Sequence, residues 1–323
     1  MSDVTTFDTS EPSEKVGLFK RLVNAVPLPV WFIVPVEAIL LFLLITPSIM
    51  SIWLSLVSWQ PTFGIGILSG KFIWFKNYID LFTEARFLWA FARTFIITGV
   101  CVSVQFLIGL GLAMLVYRPV PGRKFFTLVL ILPMMFPPLV VGNNFYMLFF
   151  AEGPINALIS YVIGSPFRLD WLSHRTWAIF PIMIAEIWQW YPLMFLIMIA
   201  GLRGMPPNQL RAAEVLGGTP WQIFWRIKIP QLVPIILIAF VIRAMEVLKL
   251  FDLVYIMTKG GPGSETETIS MYMFKIGLKD FRTSYISAGA WIVLIALVIL
   301  FVRLLRPILY RVEEFGEKIE EAK

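Results

Sequence analysis

Four ionisable residues stand inside one apolar run: Arg243, Glu246, Lys249 and Asp252, three apart and alternating in sign. On a helix that spacing sets successive charges on neighbouring faces, where they can pair in order. Charges within a bilayer-crossing segment are expensive and mark a solute pathway by default. Mutual neutralisation with a purely structural role is the other reading. A second apolar run carries Glu186, Gln189, Trp190 and Leu193, an i, i+3, i+4, i+7 set on one helix face. Trp190 can stack the face of a ring-shaped solute while Glu186 and Gln189 accept hydrogen bonds from hydroxyls. A packing or interfacial-belt role for Trp190 is equally compatible. The guanidinium fork of Arg243 matches planar or tetrahedral oxyanions. A solute with an acidic group, such as a sugar acid or a sulfonated sugar, is therefore one it can read.

Other chemistries lack their residues. Cys101 and His174 are the only cysteine and histidine, so no internal disulfide can form and no thiol or imidazole metal site can be assembled. A Ser–His–Asp arrangement would need that single histidine, which lies near a span end. The phosphate-cradling pattern G-x-x-x-x-G-K-[ST] is absent, so any ATP must be bound by another chain. The formal charge of +6 is not gathered into a basic stretch with interleaved aromatics, so nucleic acid is not a partner. These residues predict a transport protein, not an enzyme, with no cofactor of its own.

The elements that must position these side chains are membrane spans. Of 323 residues, 58% are hydrophobic and only 15% charged, well below the roughly 25% of soluble domains. Six stretches reach the length a bilayer requires: about 31–57, 94–117, 125–150, 177–201, 231–257 and 285–305. The expectation is an all-α integral membrane protein with a polar tail over 1–29, a transmembrane domain over 30–306 and a second tail over 307–323. Six spans put both tails on one side. The loop 118–124 shares that side and carries three basic residues without an acid, which places both termini in the cytoplasm. The stretch 75–93 has the spacing of an interfacial amphipathic helix.

Between the fourth and fifth spans lies LRAAEVLGGTPWQIFWRIKIPQLVP, residues 210–234. Asn208 can cap a short helix over 209–216, which Gly217 and Gly218 then stop. Thr219, Pro220 and Gln222 form a capping box with proline at the first helical position, starting a second helix. This helix–turn–helix is more structured than a connection requires. It suits either transmission of a push from a docked partner or the capping of its own bundle.

The stretch resembles the coupling loop of binding-protein-dependent ATP-binding-cassette importers. That loop runs Glu-Ala-Ala, three residues, Gly, and later Ile-x-Leu-Pro. Here stand Ala212-Ala213, Glu214, Gly217 and Ile227-Lys228-Ile229-Pro230, with Arg211 in place of the leading Glu and Leu216 where Asp usually precedes the Gly. FKNYIDLF (75–82), PGRKFFTLVLILPMMFPPLVVG (121–142), GPINALI (153–159) and TKGGPGSETETISMYMFKIGL (258–278) are likewise similar to carbohydrate-importer permeases of the maltose type.

The resemblance implies a type I ABC importer permease in a prokaryotic inner membrane, with its coupling loop at 205–230; a secondary transporter or channel that works alone is the alternative. It further implies a heterodimer with a second homologous permease, two ATP-binding subunits that hold ATP and Mg, an external solute-binding protein and a carbohydrate substrate. ATPase coupling then falls on Arg211, Ala212, Ala213, Glu214 and Gly217. The family's pocket positions fall on Glu186, Gln189, Trp190, Leu193, Arg243, Glu246, Val247 and Leu250. The small and amide residues of a neutral-disaccharide pocket are mostly missing from these positions.

Overall fold

A computed structural model describes residues 28–117 and 121–321. Nearly all of the tail expected at 1–29, and the first residues of the 118–124 loop, lie outside them. The chain divides into two units, Met1–Trp53 and Leu54–Lys323. In the first, helix α1 (Leu28–Leu56) is apolar enough to cross a bilayer over Ile33–Leu56. It continues into the second unit by three residues.

The second unit opens with a two-residue antiparallel pair, β1 (Val57–Ser58) against β2 (Lys71–Phe72). The stretch expected as one interfacial helix is two. Short α2 (Lys76–Thr83) buries Asn77 and Leu81, and α3 (Ala85–Tyr117) begins well before the expected span. Glu84 separates them in an extended conformation. The remaining long helices are α7 (Ile179–Arg203), α10 (Ile229–Val247) and α13 (Thr283–Glu321). α13 runs on through most of the expected C-terminal tail.

Two expected spans are interrupted. The third becomes α4 (Arg123–Ile131) with a 3-10 turn to Met135, then α5 (Pro138–Leu148), bent by 92°. Phe136 takes ψ 137° ahead of Pro137 and Pro138, the extended conformation that a following proline imposes. The fifth ends as a helix at Val247, and α11 (Asp252–Met257) resumes after four non-helical residues. Among the described residues, five helices are thus long and apolar enough to cross a membrane, or six if the bent pair counts as one span. Between α5 and α7 lies α6 (Pro154–Ile163).

The core forms where α3 crosses α7, around Cys101, Leu110, Ala185, Met194 and Phe195. Gly109 permits that crossing: a Cβ there would lie 2.7 Å from the Met194 Cβ and from the Phe195 backbone N. A smaller cluster of Leu81, Phe87, Tyr272 and Tyr285 joins α2, α3, α12 (Ile269–Phe274) and α13.

Candidate functional sites

The segment between α7 and α10 is a helix–turn–helix, with a different start from the one expected. α8 (Pro207–Val215) begins two residues beyond Met205, with Pro206 rather than Asn208 as its cap residue. The prolines set the start because proline at the first helical position needs no N–H partner. The end of α8 is a Schellman motif: Gly218 N donates to Ala213 O (2.9 Å) and Gly217 N to Glu214 O (3.0 Å). Gly217 sits at φ +81°, the left-handed conformation that suits a residue without a Cβ. Then Thr219 Oγ1 accepts from Gln222 N (3.3 Å) while Gln222 Oε1 accepts from Thr219 N (2.9 Å), the reciprocal capping box that starts α9 (Pro220–Ile223).

Arg211, Ala212, Glu214 and Gly217 are exposed and Ala213 is half-buried. Val215 and Leu216, each 87% exposed, form an apolar tip that none of the described residues covers. From Pro220 the backbone stays helical to Val247, through a π turn at Phe224–Lys228. That wide turn falls where Pro230 lacks the N–H that would bond to the Arg226 carbonyl. The second helix of this segment, from Pro220, and Arg243 are therefore on one uninterrupted helical stretch.

Around Arg243, the pairing along α10 that the spacing suggests does not form. The helix ends at Val247, so only Glu246 and Lys249 pair, at 3.1 Å, and Asp252 heads the next helix instead. Arg243 turns across the bundle. Its Nη2 donates to Glu186 Oε1 on α7 (2.5 Å) and its Nε to Gln105 Oε1 on α3 (3.1 Å). Gln105 Nε2 in turn donates to the Glu186 carbonyl (3.0 Å), and the guanidinium lies 4.8 Å from the Trp190 ring centroid. Arg243 and Gln105 are fully buried and Glu186 almost so. Burial of two charges is tolerated because they are paired and hydrogen-bonded.

A cavity of about 250 Å³ opens beside this cluster, between α5, α7 and the α10–α11 break. Glu186, Gln189, Trp190, Arg243, Glu246 and Leu250 line it; half-buried Leu193 and buried Val247 do not. Two buried atoms of the lining, Arg243 Nη1 and Gln189 Oε1, take no hydrogen-bond partner from the described residues. The Gln189 amide nitrogen is committed to the Phe136 carbonyl (2.9 Å) at the bend of the third apolar run. That commitment turns the other end of the amide into the free acceptor.

Sequence reasoning missed two groups of residues. Gln105 was one; its signal was an isolated amide in the apolar run VSVQFLIG. The other is the strap Glu265–Ile269. Glu267, fully buried, accepts from Arg86 Nε (2.7 Å) and Nη2 (2.8 Å) and from Lys275 Nζ (2.9 Å), while Arg93 donates to its carbonyl (2.8 Å). Burial pushes the Glu267 carboxyl up, but the bonds and charges of Arg86 and Lys275 outweigh it and hold the group below the usual carboxylate range. Thr268 Oγ1 then donates to the carbonyl of Leu250 (2.8 Å), a residue of the cavity wall. Arg86 and Glu267 lie 181 positions apart, and nothing local announces their meeting.

Residues 105–312 match the family described as binding-protein-dependent transport system inner membrane component. The chain belongs to that family. This permease is 32% identical to a probable ABC transporter permease protein of Sinorhizobium fredii, over 89% of this chain and 92% of the relative. It is 31% identical to the sulfoquinovosyl glycerol transport system permease protein of Agrobacterium fabrum, over 81% and 84%. Among solved structures, a bacterial alginate ABC transporter, in complex with an alginate pentasaccharide-bound periplasmic protein, superposes with a TM-score of 0.71. That match covers 90% of this chain and 98% of the other at 23% identity. The permease therefore has the type I ABC importer fold and is a multi-pass inner-membrane component, not an enzyme.

Proposed function

We propose that this permease is the membrane-spanning subunit of an ATP-driven importer for a sugar or sugar derivative, anionic derivatives included. The observation that carries the reading is the continuous helix from the Thr219 cap to Arg243. One end of it is joined to an exposed, independently capped helix; the other reaches a buried polar cavity. α8 docks through Arg211, Ala212, Ala213, Glu214 and Gly217 into one of two ATP-binding subunits, which hold ATP and Mg²⁺. A second homologous permease completes the pathway, an external solute-binding protein delivers the sugar, and both termini lie in the cytoplasm.

In the cavity, Arg243 Nη1 donates to a solute oxygen and Gln189 Oε1 accepts from a hydroxyl, the two buried atoms of its lining that take no partner from the described residues. Trp190 shares its ring with the Arg243 guanidinium, so any sugar stacking uses the remaining face. The sugar class is supported by the relative that serves sulfoquinovosyl glycerol, a sulfonated carbohydrate, and by the structural neighbour that imports the acidic polysaccharide alginate.

The decisive test is copurification from membranes that contain the whole operon. Glu214→Lys is expected to abolish recovery of the ATP-binding subunit while the permease still inserts. Unchanged recovery would remove the docking role. An acidic solute is tested separately: Arg243→Gln should abolish its uptake, and retained uptake would exclude Arg243 as its reader.

A further inference from the structure

The root of the coupling element carries a surface that docking to an ATPase does not require. Trp221 and Trp225 lie four apart, hence on one face, and are 69% and 50% exposed. They pack edge to face at 5.5 Å, and Phe224 stacks on Trp221 at 6.1 Å. The opposite side of α9 is anchored by buried Ile223. Exposed Arg226 follows, and then Lys228, whose Nζ lies 4.7 Å from the ring centroid of Tyr117 at the end of α3. That contact places the foot of α3 at the same end of the bundle. Six residues past Tyr117 the chain starts α4 with Arg123-Lys124-Phe125-Phe126, of which Lys124 is exposed and the two phenylalanines are 67% and 52% exposed.

Both arms therefore repeat one composition, exposed aromatic rings beside Lys and Arg, at the point where a helix enters an apolar span. No Asp or Glu occurs from Val215 to Met245 or from Arg123 to Ala151. A soluble protein partner would need complementary acids against both arms and would leave the rings wet at their rims. A membrane–water interface takes both features together. Amphipathic rings settle at headgroup level, and basic side chains beside a span attract anionic lipid.

We propose that Trp221, Trp225 and Arg226, with Lys124 and Phe125 on the neighbouring arm, form a docking surface for anionic phospholipid headgroups. It pins the root of the coupling element to the bilayer while the tip of α8 stays free. This goes beyond the importer reading and rests on it only for the role of α8 and for the assembly used in the test.

The test uses the complete importer in nanodiscs, with Trp221→Cys or Trp225→Cys in this chain labelled with bimane. The native Cys101 is fully buried and does not compete for label. Brominated phosphatidylglycerol or brominated phosphatidylcholine is then supplied at equal fraction. Quenching is expected with both and about fivefold more effective with phosphatidylglycerol, the enrichment one basic residue near the surface produces. Arg226→Gln with Lys124→Gln should equalise the two lipids.

Absence of quenching by either lipid, because the label faces water or another subunit, would overturn the proposal. Equal quenching in the native background would overturn it as well. Should neither cysteine variant assemble, phosphatidylglycerol retained per importer is counted by mass spectrometry, with native Trp221 and Trp225 in place. A fall in Arg226→Gln supports the surface, and an unchanged count refutes it. A label at Leu216→Cys reports ATPase contact separately, so failure of either idea leaves the other standing.

Discussion

The caps of the helix–turn–helix proposed for coupling bond to residues at most five positions away, as Gly218 does to Ala213, whereas Arg243 is held by partners 57 and 138 positions away. The first region is exposed and its shape follows from local backbone chemistry. The second is buried, and its shape exists only once three helices have packed. The docking role proposed for it requires an element that keeps its form while a partner moves, and local caps provide that. A charged cluster inside a membrane has no water to fall back on, so it needs partners from other helices. The difference predicts that equivalent damage will have unequal reach: global at Arg243, confined at Gly217.

The sharpest way to break the comparison is Glu186→Ala, which strands a buried guanidinium. It should lower stability by about 3–5 kcal/mol, read as thermal melting of the purified permease. The paired replacement Glu186→Leu with Arg243→Met should recover most of that stability, because no charge remains to be solvated, yet uptake should stay lost. A loss well under about 1 kcal/mol in the single variant would place the pair within the range of solvent-exposed ion pairs.

Glu267 offers an intermediate case, long-range like Arg243 but at a segment outside the spans. Glu267→Gln should lower stability by about 1.5–3 kcal/mol, the range for hydrogen bonds to a charged group. The folded carboxyl is held below the unfolded value of about 4.3. Its contribution is therefore complete above that value and is lost as pH falls through the lower folded value. Melting of the native permease should drop over that acidic window more steeply than melting of Glu267→Gln. Parallel curves would mean that the carboxylate is not the group that titrates.

The smallest effects belong to the coupling element. Gly217→Asp forces a side chain into the left-handed region at about 1–2 kcal/mol, and Thr219→Ala removes one cap at about 1 kcal/mol. Hydrogen exchange over 212–223 should accelerate roughly fivefold or more for each, with little change in global melting. Gly217→Asp should also uncouple uptake from ATP hydrolysis. Global destabilisation by either would show that the element is not locally autonomous.

Much of the permease was legible because lipid and local capping write directly on composition and spacing. The long apolar runs gave α1, α3, α7, α10 and α13, and Thr219, Gln222 and Gly217 announced their own hydrogen bonds. Asn208 was misread as a cap because two adjacent prolines, a stronger conformational constraint than one side-chain acceptor, set the start of α8. The 92° bend within the third span was not foreseen because hydropathy does not register the ψ imposed by Pro137 and Pro138. The Arg243–Glu246–Lys249–Asp252 ladder assumed a helix that stops at Val247. By itself the sequence determined that the chain crosses a membrane, carries a capped helix–turn–helix and keeps charges in its interior. Only the tertiary structure decided which charges meet, because Glu186, Gln105, Arg86 and Glu267 find their partners across helices whose separation in sequence carries no trace of their distance in space.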